Sequence, residues 1–169
     1  MLDRLDPEPA FFAPFVSSVM RVEPGWIDYN GHLRDAYYCV VMSYAVDDVM
    51  DHLGLDAAYR DRTHCTLYTV ELHMHYLHEI KSDDELTVST SILDSDRKRI
   101  HAGCDFLCPR IEGPAATAEL MLLHVQQGEK PGVVAFPPEI ERRLESLKLA
   151  PESAAKRGVG SRKIELRRR

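Results

Sequence analysis

No run of apolar residues in this 169-residue chain approaches the ~20 that a membrane-spanning helix needs, which excludes a helical membrane protein. Nor does its start, MLDRLDPEPAFFAPF, hold the basic head and apolar centre of a secretory signal, so a cytoplasmic protein is expected. Cysteine is sparse. Cys39, Cys65, Cys104 and Cys108 include no C-x-x-C pair and no second pair at zinc-site spacing. Without export, reduced and buried thiols are expected in place of bridges. Positive charge is scarce outside the last stretch. Residues 151–169 hold seven lysines and arginines against two glutamates, a net of +5; the whole chain carries −6, so the body up to Ala150 carries −11. An acidic body offers little cationic surface to phosphates, which argues against nucleic acid as the main partner. The basic tail reads as a solvated, flexible end.

What is present suffices for one domain. Hydrophobic residues make up 44% of the chain, enough for a single core without staples. Three prolines mark 1–14 as an extended lead-in, 15–149 as the folded domain and 150–169 as the tail. Residues 15–22 alternate as a strand does, and Glu23-Pro24-Gly25 breaks it. Polar, turn-forming residues make 26–34 a loop. Tyr38, Val41, Met42, Ala45, Val49 and Met50 recur at helical spacing, predicting a helix over 35–53 that Gly54 stops. A short helical turn at 57–62 precedes strands at 66–77, 85–93, 99–107 and 115–126. Ser82-Asp83-Asp84, Asp94-Ser95-Asp96 and 109–114 supply the turns between them. A closing helix is expected over 137–149. One long helix laid on a curved, five-stranded antiparallel sheet is an α+β fold. A sheet edge left open in one copy suggests a homodimer or a homotetramer.

The chemistry concentrates in Trp26-Ile27-Asp28-Tyr29-Asn30-Gly31-His32-Leu33-Arg34-Asp35-Ala36-Tyr37-Tyr38. This segment sets a carboxylate, an imidazole and several aromatics just ahead of the long helix. The first amides of a helix have no partner within it and face the positive end of its dipole, which suits an anionic intermediate. A nearby carboxylate can act as base or nucleophile. Asp28 and Asn30 equally fit a turn-shaping role, and Asp35 a helix cap.

D-x-x-G-H-x-x-x-A-x-Y before a long helix resembles the 4-hydroxybenzoyl-CoA-thioesterase-like branch of the hotdog superfamily. The run 67–77, the turn Asp83-Asp84-Glu85-Leu86-Thr87-Val88 and the strand 118–124 resemble later parts of that branch, in order. Closer still is the resemblance to betainyl-CoA thioesterases of carnitine breakdown, which carry W-I-D-Y-N-G-H-M-N-D-A-Y-Y, D-H-L-G-L-D and T-L-Y-T-V-E. Here Leu33-Arg34 stands where that group shows Met-Asn. The resemblance implies a hotdog fold and hydrolysis of a short acyl-CoA, betainyl-CoA foremost, with no cofactor or metal. It implies that Asp28 attacks the thioester or activates water, and that the Asp35 backbone N–H polarises the thioester oxygen. Asn30 and His32 would orient water or substrate.

A trimethylammonium acyl group calls for aromatic faces and negative charge. Trp26, Tyr29, Tyr37, Tyr38, Tyr44 and Tyr68 are candidates, with Glu71 and Asp47 for charge. Arg97 and Arg99, flanking Lys98 at a strand turn, are candidates for CoA phosphates. His73, His75 and His78 lack a third aligned ligand for a metal, and Cys39 lacks a base to activate it. Two other activities remain open: an acyl-thioester binder without catalysis, and a 2-enoyl-CoA hydratase, which Asp28-x-Asn30 faintly echoes.

Overall fold

The computed structural model describes residues 14–150, so the lead-in and the basic tail lie almost wholly outside them. The helical pattern becomes α1, Asp35–Leu53, which buries Tyr38, Val41, Met42, Ala45, Val46, Val49 and Leu53. Gly54 ends it at φ +80, in the left-handed region, with its amide on the Asp51 carbonyl and the Leu55 amide on that of Met50. Those two bonds satisfy carbonyls that the helix end leaves open. Asp56 then caps α2, Ala57–Thr63, by accepting the Tyr59 amide at 2.7 Å.

Strands β1 (Phe15–Val16) and β2 (Met20–Arg21) precede these helices. Strands β3 (Cys65–Tyr76), β4 (Glu85–Ser95), β5 (Arg99–Leu107), β6 (Pro114–Gln126) and β7 (Gly132–Val133) follow, and α3 (Pro138–Leu147) closes the order. The sheet runs β1-β4-β5-β6-β3, all antiparallel; β2 also pairs with β4, and β7 with β6. One face of the sheet supplies Val88, Ile92, Ile100, Ala102, Cys104, Phe106, Ala118 and Leu120, all nearly inaccessible to water. Those residues and the apolar stripe of α1 form one continuous core, in which Tyr38 meets Phe106 edge to face at 5.8 Å. Burying each such side chain contributes about 1.5–3 kcal/mol. A long helix cradled by a curled antiparallel sheet is the hotdog arrangement. None of the described helices is long and apolar enough to cross a membrane.

Three expectations need correction. The strand over 15–22 is two short strands, because Ser17 turns to its own neighbourhood: its hydroxyl accepts the Val88 amide at 2.9 Å and donates to the Ser18 carbonyl. Side-chain bonds of this kind compete with a ladder. Asp94 and Ser95 belong to β4, and the reversal sits at Asp96, whose Oδ1 accepts the amides of Lys98 and Arg99. Strand β7 was not expected at all; two exposed residues carry no pattern to read.

Register fixes which strand ends share a neighbourhood. Tyr76, Ala116, Phe106 and Val88 form one row across the sheet, beside the start of α1. Tyr68, Leu123 and Arg99 form another, seven residues along β5, or about 23 Å away.

Candidate active site

The loop before α1 is a tight hairpin. Ile27 bridges Leu33, the Asp28 amide donates to the His32 carbonyl at 2.8 Å, and the Gly31 amide returns to the Asp28 carbonyl at 3.1 Å. Gly31 sits at φ +82, a conformation in which a side chain is strained. The turn aims two amides at one oxygen: Asp28 Oδ1 accepts from Asn30 N at 2.8 Å and His32 N at 3.2 Å. Oδ2 faces the Asn30 side-chain amide at 3.4 Å. Partial desolvation pushes the Asp28 carboxyl up. The amides of His32 and Asn30, with the Asn30 side chain and the His32 ring, outweigh that and hold it below the usual carboxylate range.

The Arg34 amide reaches back to the Trp26 carbonyl at 3.0 Å, and α1 begins at the next residue. The cap position is therefore Arg34, not Asp35, and Arg34 contributes no side-chain cap bond. Asp35 instead accepts the Ala36 amide at 2.8 Å. Its own N–H has no hydrogen-bond partner among the described residues.

A second loop faces this one. The Leu33 amide donates to the Ile80 carbonyl at 2.7 Å and ties the two together. Arg110 clamps the second loop, donating from Nε and Nη2 to Asp84 at 3.0 and 2.6 Å, and from Nη2 to the Glu79 carbonyl at 3.0 Å. The Arg110 bond holds the Asp84 carboxyl low. His32 Nε2 lies 2.9 Å from Glu79 Oε2. Between the loops runs an open groove of about 500 Å³. Asp28, Tyr29, His32, Arg34 and Asp35 line one wall, with Tyr38 also in the lining. Tyr76, Leu77, His78 and Glu79 line the other.

The family model of the thioesterase-like superfamily matches residues 22–144 of this chain. The chain belongs to that superfamily. It is 44% identical over 126 residues to the betainyl-CoA thioesterase of Pseudomonas aeruginosa, an alignment covering 75% of this chain and 79% of that protein. It is 40% identical over 140 residues to the L-carnitine dehydrogenase/betainyl-CoA thioesterase of Agrobacterium fabrum. That match takes in 83% of this chain but only 28% of the larger protein. A putative thioesterase from Pseudomonas putida superposes with a TM-score of 0.74 at 35% identity, covering 93% of this chain and 99% of that one. A Staphylococcus aureus protein solved in complex with CoA superposes at 0.73 with 28% identity, covering 81% of this chain and 87% of that one.

In this member of the thioesterase-like superfamily, the groove gathers part of the expected set. Asp28, Tyr29, His32 and Asp35 line it, and Asn30 touches it only through the Asp28 carboxylate. Trp26 and Tyr37 stack on each other, 5.2 Å apart, and neither lines the groove. Tyr44 and Asp47 lie further along α1. Tyr68 bonds Gln127, Arg99 bonds Asp96, and Arg97 faces Glu141 at 3.9 Å, all toward the far row of the sheet. Glu71 pairs with His73 at 3.3 Å on the exposed part of β3. Within one copy, none of these four meets Asp28. The residues from Tyr76 to Glu79 escape sequence reading. They reach the site through contacts distant in sequence, Leu33 with Ile80, His32 with Glu79 and Tyr38 with Tyr76, none of which gave these residues a place beside Asp28 in the sequence.

Proposed function

We propose that this chain hydrolyses a short acyl-CoA, with betainyl-CoA foremost, to the free acid and CoA. One observation carries the reading: the Asp28 carboxylate and the Asp35 N–H, which has no partner among the described residues, border the same groove. The names of its Pseudomonas aeruginosa and Agrobacterium fabrum relatives supply the acyl group, and the Staphylococcus aureus structure with CoA supplies the carrier.

Asp28 acts as the nucleophile in this reading. A carboxyl held below its usual range is ionised at neutral pH, as a nucleophile must be. Asp28 Oδ2, the oxygen without a backbone amide, adds to the thioester carbonyl. The C–S bond breaks, CoA leaves as thiolate, and a mixed anhydride remains. The Asp35 N–H, at the positive end of α1, stabilises the oxyanion; one such donor is worth about 3 kcal/mol in the transition state. Tyr29 and Tyr76, both solvent-exposed at the groove, offer ring faces to a quaternary ammonium.

A thiol reagent that reads free CoA tests the proposal across betainyl-, acetyl- and 4-hydroxybenzoyl-CoA. Betainyl-CoA is expected to turn over at least about tenfold faster than the others. Asp28→Asn is expected to lower kcat by about a thousandfold or more while the thermal melt stays in place. Full activity in that variant would remove Asp28 from the mechanism.

A further inference from the structure

A mixed anhydride on Asp28 has still to be opened by water, and Asp28 can no longer take that proton. The groove holds one imidazole directly joined to the Asp28 turn. His32 is held twice: its amide donates to Asp28 Oδ1 at 3.2 Å and its carbonyl accepts the Asp28 amide at 2.8 Å. Its ring is held separately, by Glu79. Nε2 meets Glu79 Oε2 at 2.9 Å, and Nδ1 has no partner among the described residues. Glu79 is half of no other ion pair among those residues. Its backbone is fixed by the Arg110 bond to its carbonyl, and the next residue, Ile80, accepts the Leu33 amide.

An ion pair this exposed contributes little to stability. Its geometry does something else. A carboxylate on one ring nitrogen takes that nitrogen's proton as a donor and leaves the other nitrogen with its lone pair. We propose that Glu79 is a positioning residue that holds His32 in the Nε2–H form, so that Nδ1 serves as base for the hydrolytic water. The inference rests on the thioesterase reading above. In the second half-reaction the water oxygen adds to the acyl carbon of the anhydride as one water proton passes to Nδ1. The acyl–oxygen bond to Asp28 breaks and restores its carboxylate. The imidazolium then gives its proton to solvent, and the CoA thiolate that left in the first half-reaction takes one up there, so the products are the free acid and the thiol.

Two measurements on the full chain decide it. In Glu79→Ala, kcat on the preferred acyl-CoA is expected to fall by about 10- to 100-fold and KM to fall with it, leaving kcat/KM within about twofold, since the slowed step follows acylation. The initial release of one equivalent of CoA should then outrun turnover. Glu79→Gln, whose side-chain oxygen still accepts from Nε2–H, should recover most of the loss. Ring nitrogen NMR of His32 should report Nε2–H as the main neutral form in the native chain and in Glu79→Gln, and a mixture in Glu79→Ala. Unchanged kcat in Glu79→Ala, a kcat/KM that falls as far as kcat, or an Nδ1–H form in the native chain would each overturn the proposal. If the native chain cleaves no acyl-CoA at all, the thioesterase reading falls, and the ring tautomers still decide whether Glu79 sets the state of His32.

Discussion

Asp28 owes its lowered pKa to a turn that only one residue type closes without strain. Gly31 stands at φ +82, and an added Cβ there would meet no atom within 4 Å. The penalty for Gly31→Ala is thus purely one of backbone, about 1–2 kcal/mol. In a chain of this size that lowers the melting temperature by roughly 2–8 °C. Relief of the strain would draw the His32 amide away from Asp28 Oδ1, so kcat should fall by more than the stability change implies. Thermal melts and steady-state turnover on one preparation check both. Residue by residue, this turn was legible because its parts are neighbours in sequence. Glu79 was not, because nothing local distinguishes it from any solvated glutamate. Arg34 stood out by its departure from the pattern, and it lines the groove.

At the scale of elements, one buried histidine joins two of them and the segment that follows β7. His124 of β6 is 1% exposed; Nε2 meets the Tyr59 hydroxyl of α2 at 2.9 Å and Nδ1 meets the Val134 carbonyl at 3.1 Å. Phe136 stacks on the ring at 4.7 Å. Burial lowers its pKa from the ordinary 6.5, although the backbone bonds around Val134 oppose the shift. The unfolded chain therefore takes up this proton first as pH falls. Stability tied to His124 is complete above about pH 6.5 and is lost as pH drops from there through the lower folded value. Melting curves between about pH 7 and pH 5 should slope downward, and His124→Gln should flatten that slope from a lower starting point. An unchanged slope would contradict it. The long elements were legible from periodicity: α1 matches its expected span, and β5 likewise. Strand ends near serines and aspartates were not, because Ser17 and Asp96 bond nearby amides that no hydrophobic pattern records.

For the whole molecule, the outer edge of β3 is the open question. Among the described residues β3 pairs only with β6, and a bulge between Thr69 and Glu71 leaves Val70 outside the register and 53% exposed. Tyr68, Tyr76 and Leu77 are exposed along the same strand and its end. A long, partly apolar free edge invites pairing. We expect two copies to join antiparallel about Val70, which would bring the Tyr68 end of each toward the Tyr76 end of the other. Light scattering should then give twice the 19.2 kDa chain mass, and Val70→Arg should halve that mass and reduce turnover together. A fully active native monomer would rule the pairing out.

The 2.7 Å bond between Leu33 and Ile80 has a consequence for what the enzyme accepts. It stitches both banks of the channel together at main-chain level, beneath any side chain a ligand could push aside. The spacing is set before anything enters. Such a channel is expected to behave as a gauge and not as a jaw, sorting acyl groups by how well they match a width already fixed.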